Sequence, residues 1–267
     1  MTTDNYLTEL IDALQIRRVT VERKGHIFDV KKGTGIMAHE STFDAGPLLE
    51  ELKDHQLPRR RQIAAFASGV HHVLLEPSRS QASQWDFVES TGGLIPGIHA
   101  PGFEQGVEAA AGESAWTVDF FGDLRIAYFI KLDRGMRVLT KPQVERWGVS
   151  DDRITSAARS ILFHNTRNLD FQTFDDGAYV KQLRSGDGHD ATRCLVVGDA
   201  FFGDIDAGFR FTMPSPDHFL AVMDATAEST EELRQTTEST YQDVDYPLST
   251  QVFRFETGKP VPDEELT

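Results

Sequence analysis

Cysteine and long apolar runs are the scarcest features of this 267-residue chain, which contains a single cysteine, Cys194. One thiol excludes an intramolecular disulfide and a cysteine-based zinc site, and this usage is typical of a reducing compartment. No apolar run approaches the roughly 20 residues that a membrane-spanning helix needs. The N-terminus, Met1-Thr2-Thr3-Asp4, has no basic region followed by an apolar one. The sequence therefore predicts a cytoplasmic protein without a signal peptide or a membrane anchor.

Basic residues are also few, because 27 lysines and arginines stand against 42 acidic residues and the formal charge is -15. Such a charge repels phosphate backbones and anionic membranes over a Debye length. Direct binding to nucleic acid or to a membrane is therefore not expected. The local exception, Arg59-Arg60-Arg61, follows Pro58 and is interpreted as a solvated helix face. The acidic surface instead favours a basic protein partner, since electrostatic complementarity accelerates association.

The motifs of common enzyme classes are missing. The chain has no phosphate loop ending in Gly-Lys-Ser/Thr, no His-Glu-x-x-His zinc motif and no Gly-x-Ser-x-Gly elbow. Cys194 stands beside Leu195 and Val196, so we interpret it as a packed core residue and not as a nucleophile. These absences leave open whether the protein is an enzyme, and no cofactor is predicted.

Helical and strand patterns follow one another irregularly, and 39% of the residues are hydrophobic, enough for a sizeable core. Because the order is not strictly alternating, we expect an α+β fold: a mixed, mainly antiparallel sheet with helices packed on it. The N-terminal part should be more helical, since apolar stripes at helical spacing follow Asp4 and Pro58. Residues 92–112 are rich in Gly, Pro and Ala and predict a mobile linker. Two regions are expected, residues 1–112 and 113–267.

Strand patterns are clearest in the second region. Residues 124–132 and 136–140 predict a hairpin joined by the three residues Asp133-Arg134-Gly135, with glycine at the position that needs a positive φ. The continuous apolar run Phe219 to Met223 is typical of a central strand. It should pair with residues 209–213 across the turn that follows them.

Several short motifs also agree in order and spacing with those of a known bacterial family. They are Leu94-Ile95-Pro96, Phe103, Ile126-Ala127-Tyr128 through Val138-Leu139-Thr140, Val144-Glu145-Arg146-Trp147-Gly148-Val149-Ser150, Asp190-Ala191-Thr192-Arg193 and Met213-Pro214. Over residues 94–256 the chain therefore resembles the YtpQ-like family, whose domain has no assigned function. The resemblance implies a cytosolic α+β protein, and it supplies no activity, cofactor or catalytic residue.

One polar turn carries the best candidate for chemistry. Gly186-Asp187-Gly188-His189-Asp190 precedes Arg193, and Asp190 is expected to cap a helix that reaches about Phe202. A helix N-terminus suits an anion, which Arg193 could clamp while His189 acts as general base. The structural interpretation is preferred: the glycines form the turn, Asp190 caps the helix and Arg193 pairs with a nearby carboxylate.

Three carboxylates further along the chain are candidate metal ligands. Asp199, Asp204 and Asp206 lie in a glycine-containing segment and could supply the oxygen ligands that Mg²⁺ or Ca²⁺ requires. The EF-hand spacing and its closing glutamate are absent. Solvation of a helix end and turn formation explain the same residues and are the preferred interpretation.

The sequence therefore supports two hypotheses of function. The leading hypothesis is a non-catalytic cytosolic protein that acts through protein-protein contacts, and a role in immunity or defence fits this class. The alternative is a hydrolase or transferase with an unfamiliar anion- or metal-dependent site around His189, Asp190 and Arg193. Converging titratable groups in a pocket would favour the second hypothesis. The sequence makes no prediction of oligomeric state.

Overall fold

The computed structural model describes residues 3–33, 38–52, 58–75, 84–133, 135–175, 177–201 and 208–263. Its helices are α1 (Thr3–Ile16), α2 (Gly46–Glu51), α3 (Arg59–Leu74), α4 (Phe87–Thr91), α5 (Phe103–Ala111), α6 (Lys141–Trp147), α7 (Asp151–Thr166), the 3-10 helix (Ala191–Leu195), α8 (Val197–Phe201) and α9 (Ala227–Asp243). Within these described ranges, no helix combines the length and apolarity that a membrane crossing requires.

The strands, in chain order, are β1 (Thr20–Lys24), β2 (Ile27–Lys32), β3 (His39–Asp44), β4 (Leu94–His99), β5 (Thr117–Asp119), β6 (Arg125–Leu132), β7 (Gly135–Val138), β8 (Phe171–Thr173), β9 (Lys181–Leu183), β10 (Arg210–Ser215), β11 (His218–Val222), β12 (Val252–Glu256) and β13 (Lys259–Pro262). They form three mainly antiparallel sheets, with the orders β1-β2-β3, β13-β12-β10-β11-β9-β8, and β4-β6-β5 with β7 paired to β6. The fold is α+β, which confirms the predicted class.

The chain divides into two compact units. The first contains Met1–Leu94, His99–Val118 and Ala127–Ile154, and the second contains Ile95–Ile98, Asp119–Ile126 and Thr155–Thr267. The predicted division at residues 112 and 113 stays a prediction.

The first unit has a core of apolar side chains from α1, α3 and the first sheet. On α1 the buried residues Leu7, Leu10 and Leu14 recur at three- and four-residue steps, so one face of the helix is removed from water. Phe28 of β2 and Phe43 of β3 are register partners whose rings stack with centroids 5.3 Å apart. The helical periodicity and the strand alternation thus meet in one core.

The structure corrects the predicted linker at residues 92–112. This segment forms β4, in which every residue is buried, and α5, which packs closely on α3. Three of its glycines, Gly93, Gly102 and Gly106, serve close packing: the backbone of α3 passes so near to Gly106 that a side chain there would collide with it. The Gly and Ala content that suggested mobility therefore reflects a tight helix crossing.

The predicted hairpin in residues 124–140 is confirmed as β6 and β7, which pair antiparallel. The connection differs by one residue from the prediction, because Leu132 and Gly135 are themselves register partners and only two residues separate them. Gly135 has a φ of 109°, the positive value expected for this glycine. Arg134 lies outside the described residues.

The second unit is built around β10 and β11. They pair antiparallel as predicted, and β11 has β10 on one side and β9 on the other, so it is an inner strand. Phe211 of β10 stacks against Phe219, Phe253 and Phe255, with centroids 5.0, 5.4 and 5.0 Å away. Helix α9 contacts β10 and β11 and leaves its opposite face to solvent.

Candidate functional site

The polar turn between β9 and the 3-10 helix holds the predicted site residues. Gly186 and Gly188 have φ values of 75° and 79°, a region that glycine enters without steric cost, so the chain can turn tightly here. Asp190 follows with helical angles, φ -61° and ψ -45°, and its side chain makes no cap hydrogen bond. The predicted cap is therefore wrong.

The predicted helix to about Phe202 is instead divided into two short helices, and Phe202 lies outside the described residues. The first five residues, Ala191–Leu195, form a 3-10 helix, and Val196 interrupts the helical backbone before α8 begins. Asp190 does not cap because its carboxylate is directed to other groups. Its Oδ1 accepts hydrogen bonds from the backbone N-H of Ser185 and from Arg193, at 3.0 and 3.1 Å.

Arg193 is the centre of this turn and is 1% exposed. Its two terminal nitrogens donate to both carboxylate oxygens of Asp187, with Nη1 2.9 Å from Oδ1 and Nη2 2.6 Å from Oδ2. Nη1 also donates to Asp190. A bidentate pair of this kind is the strongest ion-pair geometry available to arginine. The structural alternative considered for Arg193, pairing with a nearby carboxylate, describes these contacts.

Ser185 closes the arrangement, and we call Ser185, Asp187, Asp190 and Arg193 the Arg193 cluster. The Ser185 hydroxyl oxygen lies 2.6 Å from Asp187 Oδ1 and 2.7 Å from Asp190 Oδ1. Burial raises the pKa of Asp187, but hydrogen bonds from Arg193 and Ser185 outweigh it and hold this pKa well below the usual range. Asp190 is more deeply enclosed, and burial raises its pKa. One buried cation thus faces two carboxylates.

His189 is beside the cluster but faces another way. Its backbone N-H donates to Asp187 Oδ1 at 3.0 Å, while its ring is buried and hydrogen-bonds to the backbone of Pro96. Burial lowers the pKa of His189, and the negative charge of Asp187 opposes this change only in part. The ring is therefore neutral near pH 7, the state that a general base requires.

His218 is a neighbour that the sequence did not assign to the site. It ends the turn between β10 and β11, where its Nδ1 lies 2.7 Å from the Ser215 hydroxyl oxygen. Burial lowers the pKa of His218, while the charges of Asp217 and Asp190 raise it. The Ala191 N-H also donates to the Pro216 carbonyl at 2.9 Å, which joins the two turns. Proximity in space, and no local sequence signal, brings His218 to the site.

Of the three candidate metal ligands, the structure describes Asp199 alone. Asp199 lies in α8, is exposed and pairs with Arg159, whose Nη2 is 2.7 Å from its Oδ2. Asp204 and Asp206 lie outside the described residues. Within the part of the chain that the structure describes, no group of three or more His, Cys, Asp or Glu side chains could hold a metal ion.

Cys194 is a free, buried thiol in the 3-10 helix. Burial raises its pKa far above the ordinary value, and the nearby charge of Arg159 lowers it only in part. A reactive cysteine needs exposure and a lowered pKa, and Cys194 has neither. The predicted packing role agrees with this position.

The arrangement defines an α+β protein with a buried ion-pair cluster next to a neutral histidine. Both terminal nitrogens of Arg193 are occupied by the protein's own carboxylates, so an incoming anion would have to displace Asp187. No family model, no curated protein and no solved structure matches this chain. The resemblance to the YtpQ-like family stays a prediction.

Proposed function

We propose that this protein is non-catalytic and binds a basic protein partner through the outward side of α9. One observation carries the proposal: three exposed glutamates recur on this helix at steps of three and seven residues, which places them on one side. We call Glu228, Glu231 and Glu238 the acidic face. The opposite side is buried and is formed by Ser229, Thr230, Leu233, Thr237 and Thr240.

Helix stability accounts for only part of the negative charge on α9. Glu228 near the N-terminus complements the helix dipole, but Asp243 ends the helix, where a negative charge is unfavourable, and no basic residue stands in the last turn. Glu228 and Glu231 are three residues apart and repel each other. Arg234 is the only cation in the sequence of α9, and it pairs with Glu231 at 3.3 Å. The net negative charge is therefore available to a partner.

One exposed apolar side chain, Tyr179, contacts the acidic face, and another, Met223, lies four residues before α9. Tyr179 and Met223 are each 42% exposed, and they are two of the four large hydrophobic residues that stand out from the described surface. The Tyr179 hydroxyl donates to Glu228 at 2.9 Å, and Glu232 accepts the backbone N-H groups of Tyr179 and Val180 at 2.9 and 3.0 Å. Tyrosine and methionine are enriched in protein interfaces. An apolar anchor beside carboxylates suits a basic protein surface.

The proposal includes a cytoplasmic location and a role in immunity or defence, in which an acidic protein neutralises a basic toxin. Its support is the charge balance of the chain, 42 acidic against 27 basic residues. Complementary charge of this kind acts mainly on the association rate and is weakened by salt.

The test compares three forms of the tagged full-length protein in pull-downs from a lysate of the source cells, at low and at physiological salt. The first is wild type, and the second is Glu228→Gln/Glu231→Gln/Glu238→Gln. The third is a charge-matched control that neutralises the exposed residues Glu22, Glu108 and Glu145. We expect wild type and control to retain the same basic protein, and the α9 variant to bind it about tenfold more weakly once both are purified.

The dissociation constants are measured by calorimetry with the purified partner, at two salt concentrations. An equal loss of affinity in the control variant would show that net charge alone attracts the partner. A partner that binds the α9 variant as tightly as wild type would contradict the proposal. A captured protein that does not bind the α9 variant more weakly than wild type and control gives the proposal no support.

The alternative function, a hydrolase or transferase, rests on the neutral His189 beside Asp190 and Arg193. We place it second because the carboxylates of Asp187 and Asp190 occupy the groups of Arg193 that would hold an anion. His189 itself is hydrogen-bonded to the Pro96 backbone, so its ring is held by the fold. The stability of Arg193→Met distinguishes the two functions, because an arginine that the fold does not need is available for an anion.

A further inference from the structure

A cluster of basic groups lies in the first unit, where α1, β2 and α3 end near one another. Lys32 is the last residue of β2, and its Nζ donates to the backbone carbonyl of Arg17 at 2.8 Å. The same Nζ lies 2.6 Å from Nε2 of His71, in the last turn of α3. Arg18 follows Arg17 directly. We call Arg18, Lys32 and His71 the basic cluster.

Among the described residues, the charges that shift the pKa values of Lys32 and His71 are all positive. Burial lowers the pKa of Lys32, and Arg18 and Arg17 lower it further. Burial also lowers the pKa of His71, to about 2, with added effects of His72, Lys32 and Arg17. Among the described residues, no carboxylate shifts either pKa. This is unusual in a chain whose acidic residues outnumber its basic ones by 42 to 27.

Helix termination explains part of this arrangement. Cations at the C-terminal ends of helices complement the dipole, and Lys32 does so for α1 through the Arg17 carbonyl. Two residues after the end of α1, Arg18 has a left-handed conformation with a φ of 59°. The Val19 N-H then donates to the Leu14 carbonyl at 3.2 Å. Glycine is the usual residue at the position of Arg18. Capping therefore accounts for the backbone contact of Lys32 but not for an arginine at this turn.

Lys32 also keeps a hydrogen-bond donor for a ligand. An ammonium group has three N-H donors, and two are directed to the Arg17 carbonyl and to the neutral ring of His71. The third has no acceptor among the described residues. In the part of the chain that the structure describes, this half-buried ammonium has no counter-charge. Electrostatic attraction is strengthened where water is partly excluded.

We infer that Arg18, Lys32 and His71 bind a phosphate group, carried either by inorganic phosphate or by a phosphomonoester. A dianion with several acceptor oxygens can accept hydrogen bonds from the ammonium and the guanidinium at once. The bound anion supplies the missing negative charge and raises the pKa of His71 from its low value. The inference is independent of the acidic face on α9, since it concerns another unit of the chain.

The test titrates the full-length protein with inorganic phosphate, and separately with phenyl phosphate, by calorimetry at pH 7 and constant ionic strength set with sodium chloride. We expect saturable binding, and a dissociation constant about tenfold higher for Lys32→Met, equivalent to the loss of one charge-assisted contact. Lys31→Met is the matched control, because Lys31 is the preceding residue on β2, is exposed and pairs with Glu40. It should bind like wild type.

Nuclear magnetic resonance provides a second measurement. The imidazole proton resonances of His71, assigned with His71→Gln, should shift during the phosphate titration. Lys32→Arg keeps the charge and should retain binding, which provides an informative variant should Lys32→Met fail to fold. Saturation by inorganic phosphate alone identifies a free ion, and tighter binding of phenyl phosphate identifies an ester. Absence of saturable binding of both probes to wild type, or equal losses in Lys31→Met and Lys32→Met, would overturn the inference.

Discussion

Replacing Gly106 with alanine should lower the free energy of unfolding by about 3 kcal/mol, at the upper end of the usual cost of overpacking. A Cβ atom on Gly106 would lie 2.0 Å from the backbone carbonyl oxygen of Phe66 in α3. On the other helix, a Cβ on Gly69 would lie 2.1 Å from the carbonyl oxygen of Phe103. Backbone cannot rotate away as a side chain can, so α3 and α5 must separate. Gly69→Ala should therefore be similarly costly.

Helix propensity alone predicts the opposite sign, because alanine is favoured over glycine within a helix by about 1 kcal/mol. The close approach should outweigh this preference. Both glycines belong to one helix crossing, so the second replacement should cost less once the first has separated the helices. The double variant is therefore expected to lose less stability than the sum of the single variants.

Urea unfolding followed by circular dichroism measures these differences. Gly92→Ala is the matched control, since Gly92 has a φ of -66° and a Cβ atom added there would have no atom within 4 Å. Alanine there should be neutral or stabilise the protein by up to about 1 kcal/mol. Losses below about 1 kcal/mol for both Gly69→Ala and Gly106→Ala would show that the helices tolerate separation.

This crossing shows where sequence patterns stop being informative. The stripes of α1 and α3 and the alternation in β10 are local properties, and they predicted those elements correctly. In residues 92–112 the same glycines could serve a flexible linker or a close contact. Only the partner backbone, which lies far earlier in the chain at Phe66, decides between the two.

The candidate site was likewise only partly predictable from the sequence. The sequence indicated His189, Asp190 and Arg193 because they follow a glycine-rich turn. The structure joins Asp190 to Arg193 by a hydrogen bond, whereas the ring of His189 is hydrogen-bonded to the Pro96 backbone. The sequence did not reveal that both carboxylate oxygens of Asp187 accept hydrogen bonds from Arg193. A carboxylate between two glycines, six residues before an arginine, was nevertheless a usable signal. The contact of Lys32 with His71 joins residues 39 positions apart, and no local pattern could predict it.

Arg193→Met is expected to destabilise the protein by about 3–5 kcal/mol, the cost of leaving a buried charge without its partner. Asp190 is 1% exposed and would lose its cation, and Asp187 would lose both contacts of its bidentate pair. Arg159→Met is the matched control, because its ion pair with Asp199 is exposed on both sides. Exposed pairs contribute about 0–1 kcal/mol, so the control should remain close to wild type.

The pH dependence of Arg193→Met identifies the cause of its instability. In wild type the lowered pKa of Asp187 contributes stability that is present above the unfolded-state pKa and is lost as pH falls through the folded-state value. Without the arginine, burial raises the pKa of Asp190 with no cation nearby to lower it, so the folded variant binds protons more readily than the unfolded chain. Its deficit relative to wild type should therefore shrink between pH 7 and about pH 4.

Removing one of the carboxylates that Arg193→Met leaves without a cation should also reduce the loss of stability, at constant pH. Arg193→Met/Asp190→Asn is expected to recover at least about 1 kcal/mol relative to Arg193→Met, because the most deeply buried charge is gone. Urea unfolding at pH 7 and at pH 4.5 measures both effects. An Arg193→Met protein as stable as Arg159→Met at both pH values would show that the guanidinium is not needed by the fold. Arg193 would then be available for an anion, and the hydrolase or transferase hypothesis would take precedence over the interaction hypothesis.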